Sequence, residues 1–83
     1  MAEKEIGTIT HWFDKIGVAV IKLSGALAVG DRIKIKRGDE EFEDTVSSMQ
    51  IDYKEVTDAG KGDDVAMKIS HKAHEGAVVF KLE

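Results

Sequence analysis

Four small groups of residues in this chain carry side chains able to do chemistry. In "VGDRIKIKRGDEEFED", residues 29–44, four cations (Arg32, Lys34, Lys36 and Arg37) fall within six positions, and five carboxylates follow within six more. Joined by Lys15 and Lys22, the cations would form a basic row suited to positional contact with phosphates. The same pattern has a plainer use. In a hairpin of strands 31–37 and 41–46, outward Lys34 and Lys36 lie across from outward Glu41 and Glu43. Such cross-strand pairs contribute about 0.2–1 kcal/mol each, so the pattern stands without a ligand.

The second group is "HWF", His11 to Phe13. Alternation on a strand puts His11 and Phe13 on one side and Trp12 on the other. A ring near the end of a sheet can stack a base or anchor a protein. It can equally cap and fill the core. The third group is His71 and His74 in "SHKAHEG", with His11 and Glu75 as further candidates. Zinc needs three or four ligands with an ordered surround, so this set is read as solvated polar residues and no metal is expected. The fourth is the catalytic inventory. There is no cysteine nucleophile, and neither Ser47 nor Ser48 has an evident His/Asp partner set. Asp63 and Asp64 mark a turn into a strand. No catalytic residue and no cofactor is assigned, and an enzyme is not expected.

The elements that must position these groups are strands. Short runs rich in Val and Ile alternate with glycine and acidic turn signals, while helical periodicity is poor throughout. Strands are expected at 5–13, 16–23, 31–37, 41–51, 64–70 and 77–82. "IGVAVIKL" is apolar on both sides and reads as a central strand covered on two faces. "DRIKIKR" and "DVAMKIS" alternate cleanly, with Ile33, Ile35, Val65, Met67 and Ile69 inward. In "FEDTVSSMQI" the phase slips between Val46 and Met49, as a β-bulge near Ser47–Ser48 would produce. "GDRIKIK" and "GDDVAMKI" echo one another, and similar turn chemistry used twice explains it. The expected core is Ile9, Ile21, Leu23, Ile33, Ile35, Phe42, Val46, Met49, Val65, Met67, Ile69, Val79 and Phe80. Six short, curved strands in so short a chain predict a small closed barrel.

Composition narrows the function classes. A chain of 83 residues encloses one small core at most. The absence of cysteine fits a reducing compartment and leads to a cytoplasmic expectation. "MAEKEIGTIT" lacks a long apolar region, so no secretory signal is read, and no uncharged run is long enough to span a bilayer. The lack of Asn, with a single Gln and 34% charged residues, is a pattern reported for thermophile proteins, whereas the lack of Pro runs against it. The net charge of −4 argues against a surface uniformly attractive to nucleic acid. Its distribution is uneven. Residues 15–37 hold six Lys/Arg against one Asp, and residues 38–64 hold ten Asp/Glu against two Lys.

In order and spacing, "GVAVIKLSG", "LAVGDRIKI", "TVSSMQ", "VTDAGKGDDVAMKI" and "EGAVVF" resemble the second domain of translational GTPases, which include the elongation factors. With "IGTITHWFDKIGVAV" (Ile6 to Val20) at the start, the match is closer to a barrel module at the C-terminus of collagenase-like peptidase family proteins. The resemblance runs from about Ile6 to Leu82. It implies an all-β, closed six-stranded barrel of the translation-factor domain 2 type, spanning residues 6–82 after an N-terminal tail at 1–5. No "GxxxxGK[ST]" loop is present, so nucleotide binding is not carried over. Neither is the peptidase catalytic domain. By resemblance, the expected function is a monomeric, non-catalytic module docking on RNA or the ribosome through Trp12, Lys15, Lys22, Arg32, Lys34, Lys36 and Arg37. The alternative is a protein–protein adaptor beside a separate enzyme, with the acidic 38–64 surface as its contact and no RNA.

Overall fold

The computed structural model describes residues 3–69 and 72–82. Among them every regular element is a β-strand: β1 (Glu3–Phe13), β2 (Val18–Leu23), β3 (Leu27–Ala28), β4 (Arg32–Arg37), β5 (Glu40–Thr45), β6 (Met49–Ile51), β7 (Lys54–Val56), β8 (Asp58–Ala59), β9 (Asp64–Lys68) and β10 (Val78–Leu82). Eight of these form one antiparallel sheet in the order β5-β4-β10-β1-β2-β9-β6-β7, and β3 pairs with β8 in a second ladder. The small ladder joins the segment leading into β4 to the segment leaving β7. Val29 N–H donates to Thr57 C=O at 2.9 Å and extends that junction. The all-β expectation therefore holds. Ten short strands replace the six expected, and among the described residues no single ladder closes on itself. Glu3, Lys4 and Glu5, expected in a tail, belong to β1 and pair with Leu82, Lys81 and Phe80.

Alternation decides the core. In β4 Ile33 and Ile35 are buried, in β9 Val65 and Met67, and in β2 Ala19, Ile21 and Leu23. Each fully buried aliphatic side chain contributes about 1.5–3 kcal/mol relative to exposure. "IGVAVIKL" is not covered on both faces as expected. Val18 and Val20 are half-buried and Ile16 is 61% exposed, so β2 is an ordinary one-faced strand. Phe42 packs against the core from its margin, and Phe80 is half-buried on the phase opposite Val79. Ile6, Leu27, Ala73 and Ala77 complete the interior.

The expected strand 41–51 is two strands at distant places in the sheet. Strand β5 pairs with β4, whereas β6 pairs with β9 and β7. The phase slip at Ser47–Ser48 marks the chain crossing between them rather than a bulge. Two irregularities do occur, both in β1, between Glu5 and Gly7 against β10 and between Ile9 and His11 against β2. At Gly7 the strands approach so closely that a Cβ would lie 2.7 Å from both Ile21 Cγ2 and Lys22 O. The two Gly-Asp turns share one chemistry. Asp31 N–H donates to Ala28 C=O and its Oδ2 accepts from Ala28 N–H, and Asp63 repeats both bonds with Gly60.

Candidate functional site

Two members of the basic row, Arg32 and Lys34, find carboxylate partners within the molecule. Lys34 lies opposite Glu43, Lys36 opposite Glu41 and Arg37 opposite Glu40. Arg32 Nη2 donates to Glu43 Oε1 at 3.0 Å. Lys34 Nζ donates to Glu3 Oε2 at 2.7 Å and lies 3.8 Å from Glu41 Oε2. The Glu3 contact bridges 31 positions of sequence and depends on β10 bringing β1 beside β4. This hydrogen bond holds the Lys34 ammonium above the ordinary lysine value of 10.5, with partial burial working against it and the surrounding carboxylates adding to it. Arg32 and Lys34 are thus paired within the molecule, as the plainer reading expects, and Lys36 and Arg37 face Glu41 and Glu40 in the register alone.

The aromatic triplet behaves differently. The irregularity between Ile9 and His11 inserts one residue and moves the inward phase by one. Ile9 is buried, His11 is exposed, and Trp12 is the ring that packs against the core. His11 and Phe13 share the outer side, with ring centroids 6.3 Å apart. Trp12 Nε1 donates to Asp14 Oδ1 at 3.3 Å. Trp12 also lines an open depression of about 400 Å³ with Arg37, His74 and Glu75. Beside it Arg37 and His74 line a second, much smaller recess with Phe42, Lys72 and Ala73. Glu75 Oε2 lies 3.7 Å from His11 Nδ1. Phe13, 47% exposed, and Ile16 flank this end of the β1–β2 hairpin.

The residues nominated by type and spacing therefore separate. Trp12 and Arg37 share one depression, and Lys15 lies in the exposed turn that joins β1 to β2. Lys36 sits one residue before Arg37, opposite Val78. Lys22 lies towards the other end of β2, paired with Thr8 and Asp64, and lines a different groove with Lys61 and Ser24. Arg32 and Lys34 are held by carboxylates. His74 and Glu75, which the sequence offers only as metal ligands, are the additions to the Trp12 end. Among the described residues no three His, Cys, Asp or Glu side chains gather as a metal would require, and His71 lies outside those residues. Ser47 and Ser48 sit on the link between β5 and β6. Among the described residues no helix is long and apolar enough to cross a membrane.

Two crystal structures of the C-terminal domain of a Geobacillus thermoleovorans protein named as a putative U32 peptidase superpose on the chain. One gives a TM-score of 0.90 at 14% identity, covering 96% of this chain and 93% of that one. The other, a selenomethionine variant, gives 0.86 at 14% identity, covering 92% and 96%. The chain has the fold of that domain. An uncharacterized protease of Methanocaldococcus jannaschii is 39% identical over 80 residues, which is 95% of this chain and 20% of the protease. The chain thus spans about a fifth of the curated relative it matches. No protein-family model matches it.

These relatives overturn the translation reading. The similarity leads to a protease and to U32 peptidase domains, not to elongation factors, so an RNA-binding or ribosome-docking role has no support. The physical reason agrees. The cations meant for phosphate are divided between two regions, and Arg32 and Lys34 already hold carboxylates at 3.0 and 2.7 Å.

Proposed function

We propose that this chain is a non-catalytic adaptor module, a single domain over residues 6–82 with the Glu3–Glu5 start of β1 added to it, that works beside a catalytic domain of the collagenase-like, U32 peptidase kind. The observation that carries this is one of proportion: nearly the whole chain matches, yet it matches only a fifth of the protease. The same fold forms the C-terminal domain of a Geobacillus thermoleovorans protein named as a putative U32 peptidase. Docking through the Trp12 end is supported by its composition. Trp and Arg are among the side chains most enriched where a few residues dominate binding energy, and here Trp12 and Arg37 share one depression beside exposed Phe13 and Ile16. Their neighbours His74 and Glu75 supply a polar margin.

The test is calorimetric titration of this chain into the Methanocaldococcus jannaschii protease from which the matching segment has been removed. Saturable binding is expected, weakened roughly tenfold or more by Trp12→Ala and by Arg37→Ala. No interaction with the unaltered chain sinks the adaptor reading. Binding that ignores both substitutions moves the docking end elsewhere.

A further inference from the structure

The β6–β7 hairpin carries a feature that folding leaves unexplained. Its ladder pairs Met49 with Val56, Gln50 with Glu55 and Ile51 with Lys54, leaving a two-residue turn of Asp52 and Tyr53. Both have positive φ, 52° and 65°. That combination belongs to a type I′ turn, in which Asn-Gly or Asp-Gly is the strongly preferred pair. Here a tyrosine stands where glycine would fit without steric cost, and the residue is 98% exposed. A lone exposed apolar residue is ordinary. A bulky ring held in a disfavoured backbone conformation and packed on nothing is not, because strain of this kind persists where function uses it.

We infer that Tyr53 is an anchor for a second polypeptide, one that presents a basic surface with a pocket for the ring. The charge around it selects that partner. On the hairpin and the β9 entry it runs towards, four carboxylates (Asp52, Glu55, Asp63 and Asp64) stand against Lys54 and Lys61, with Lys22 opposite Asp64. Phosphate-bearing polymers and anionic lipid surfaces are repelled by this field, and cationic side chains are drawn to it. The register also sets the turn apart from the Trp12 end. Gln50 pairs with Ala66, so the hairpin runs towards Asp64, whereas the β1–β2 turn lies beyond the Val18–Lys68 pair at the other end of β9. The Tyr53 tip is a contact surface of its own. It stands independently of the Trp12 docking end.

The test uses the full chain, immobilised, to select from a phage library of random peptides, with enriched peptides then measured by fluorescence anisotropy. Enriched sequences should be rich in Lys and Arg and should lose affinity as salt rises. Tyr53→Gly should weaken them roughly tenfold or more while raising the unfolding midpoint by a few degrees, a pair of effects that a structural role alone cannot give. Tyr53→Phe should retain binding. Tyr53 variants should leave titration with the protease polypeptide unchanged, so failure here and failure of the docking end are separable. No basic enrichment, or equal binding by Tyr53→Gly, overturns the inference.

Discussion

Two hairpins of this molecule are built alike and use their side chains differently. Strands β4 and β5 turn at Gly38–Asp39, with positive φ (60°) at Gly38 alone, the pattern of a type II′ turn. Strands β6 and β7 turn at Asp52–Tyr53, with positive φ at both residues, the second of which disfavours it. In the first hairpin the backbone is relaxed, Arg32 meets Glu43, and Lys34 meets Glu3. In the second the backbone is strained and the largest side chain meets solvent. Folding accounts for the turn and for the Arg32 and Lys34 pairs of the first hairpin, but not for the placement of Tyr53 in the second. The difference teaches where to look for function: not at the densest charge, but at the residue whose placement the fold does not explain.

The largest way to test the contrast is to cut beneath the self-sufficient hairpin. Ile35, 2% exposed under β4, should cost about 2–5 kcal/mol when changed to Ala, read from urea midpoints. An unchanged midpoint would mean that β4 is not part of the cooperative core. Next, matched substitutions at the two turns should have opposite signs. Gly38→Ala meets no atom within 4 Å and strains only its backbone, for about 1 kcal/mol of lost stability. Tyr53→Gly should gain up to about 1 kcal/mol. Equal signs would erase the distinction between relaxed and strained turns.

A smaller effect is set by pH. The folded chain holds the Lys34 proton more tightly than the unfolded chain does, because Glu3 accepts its hydrogen bond. The resulting stabilisation is full below the ordinary value of 10.5 and is lost as pH rises through the raised folded value. The stability gap between the unaltered chain and Lys34→Gln should therefore be flat through neutral pH and close only in alkali. A gap that closes between about pH 6 and pH 8 would point to a different titrating group. The smallest effect is the coupling of Arg32 to Glu43, whose side chains are 61% and 50% exposed. A double-mutant cycle should return about 0.2–1 kcal/mol, which is enough for a hairpin but too little to define a site.

Much of the fold is legible because period-two alternation survives wherever a strand has one dry face. Ile33, Ile35, Val65 and Met67 all point inward as their spacing dictates. The cross-strand pairing of Lys34 and Lys36 with Glu43 and Glu41 also follows from hairpin register alone. The candidate site is legible only in part. Trp12 and Arg37 can be nominated by type, but His74 and Glu75 join them through contacts between residues far apart in the chain. Tyr53 stands outside every group nominated by type, although "IDYK" holds the signal: a two-residue turn between pairing positions, without glycine or asparagine.

By itself the sequence determined the all-β class, most of the core and the self-pairing of its charges, because each depends on near neighbours along the chain. Only the tertiary structure decided which ring of "HWF" turns inward, since one inserted residue in β1 against β2 shifts the phase. It also decided that residues 41–51 divide between two parts of the sheet, and that Glu3 rather than a nearer carboxylate accepts the hydrogen bond of Lys34. Those outcomes rest on which strands lie side by side. Pairing order is a property of the whole chain's packing, and no local spacing records it.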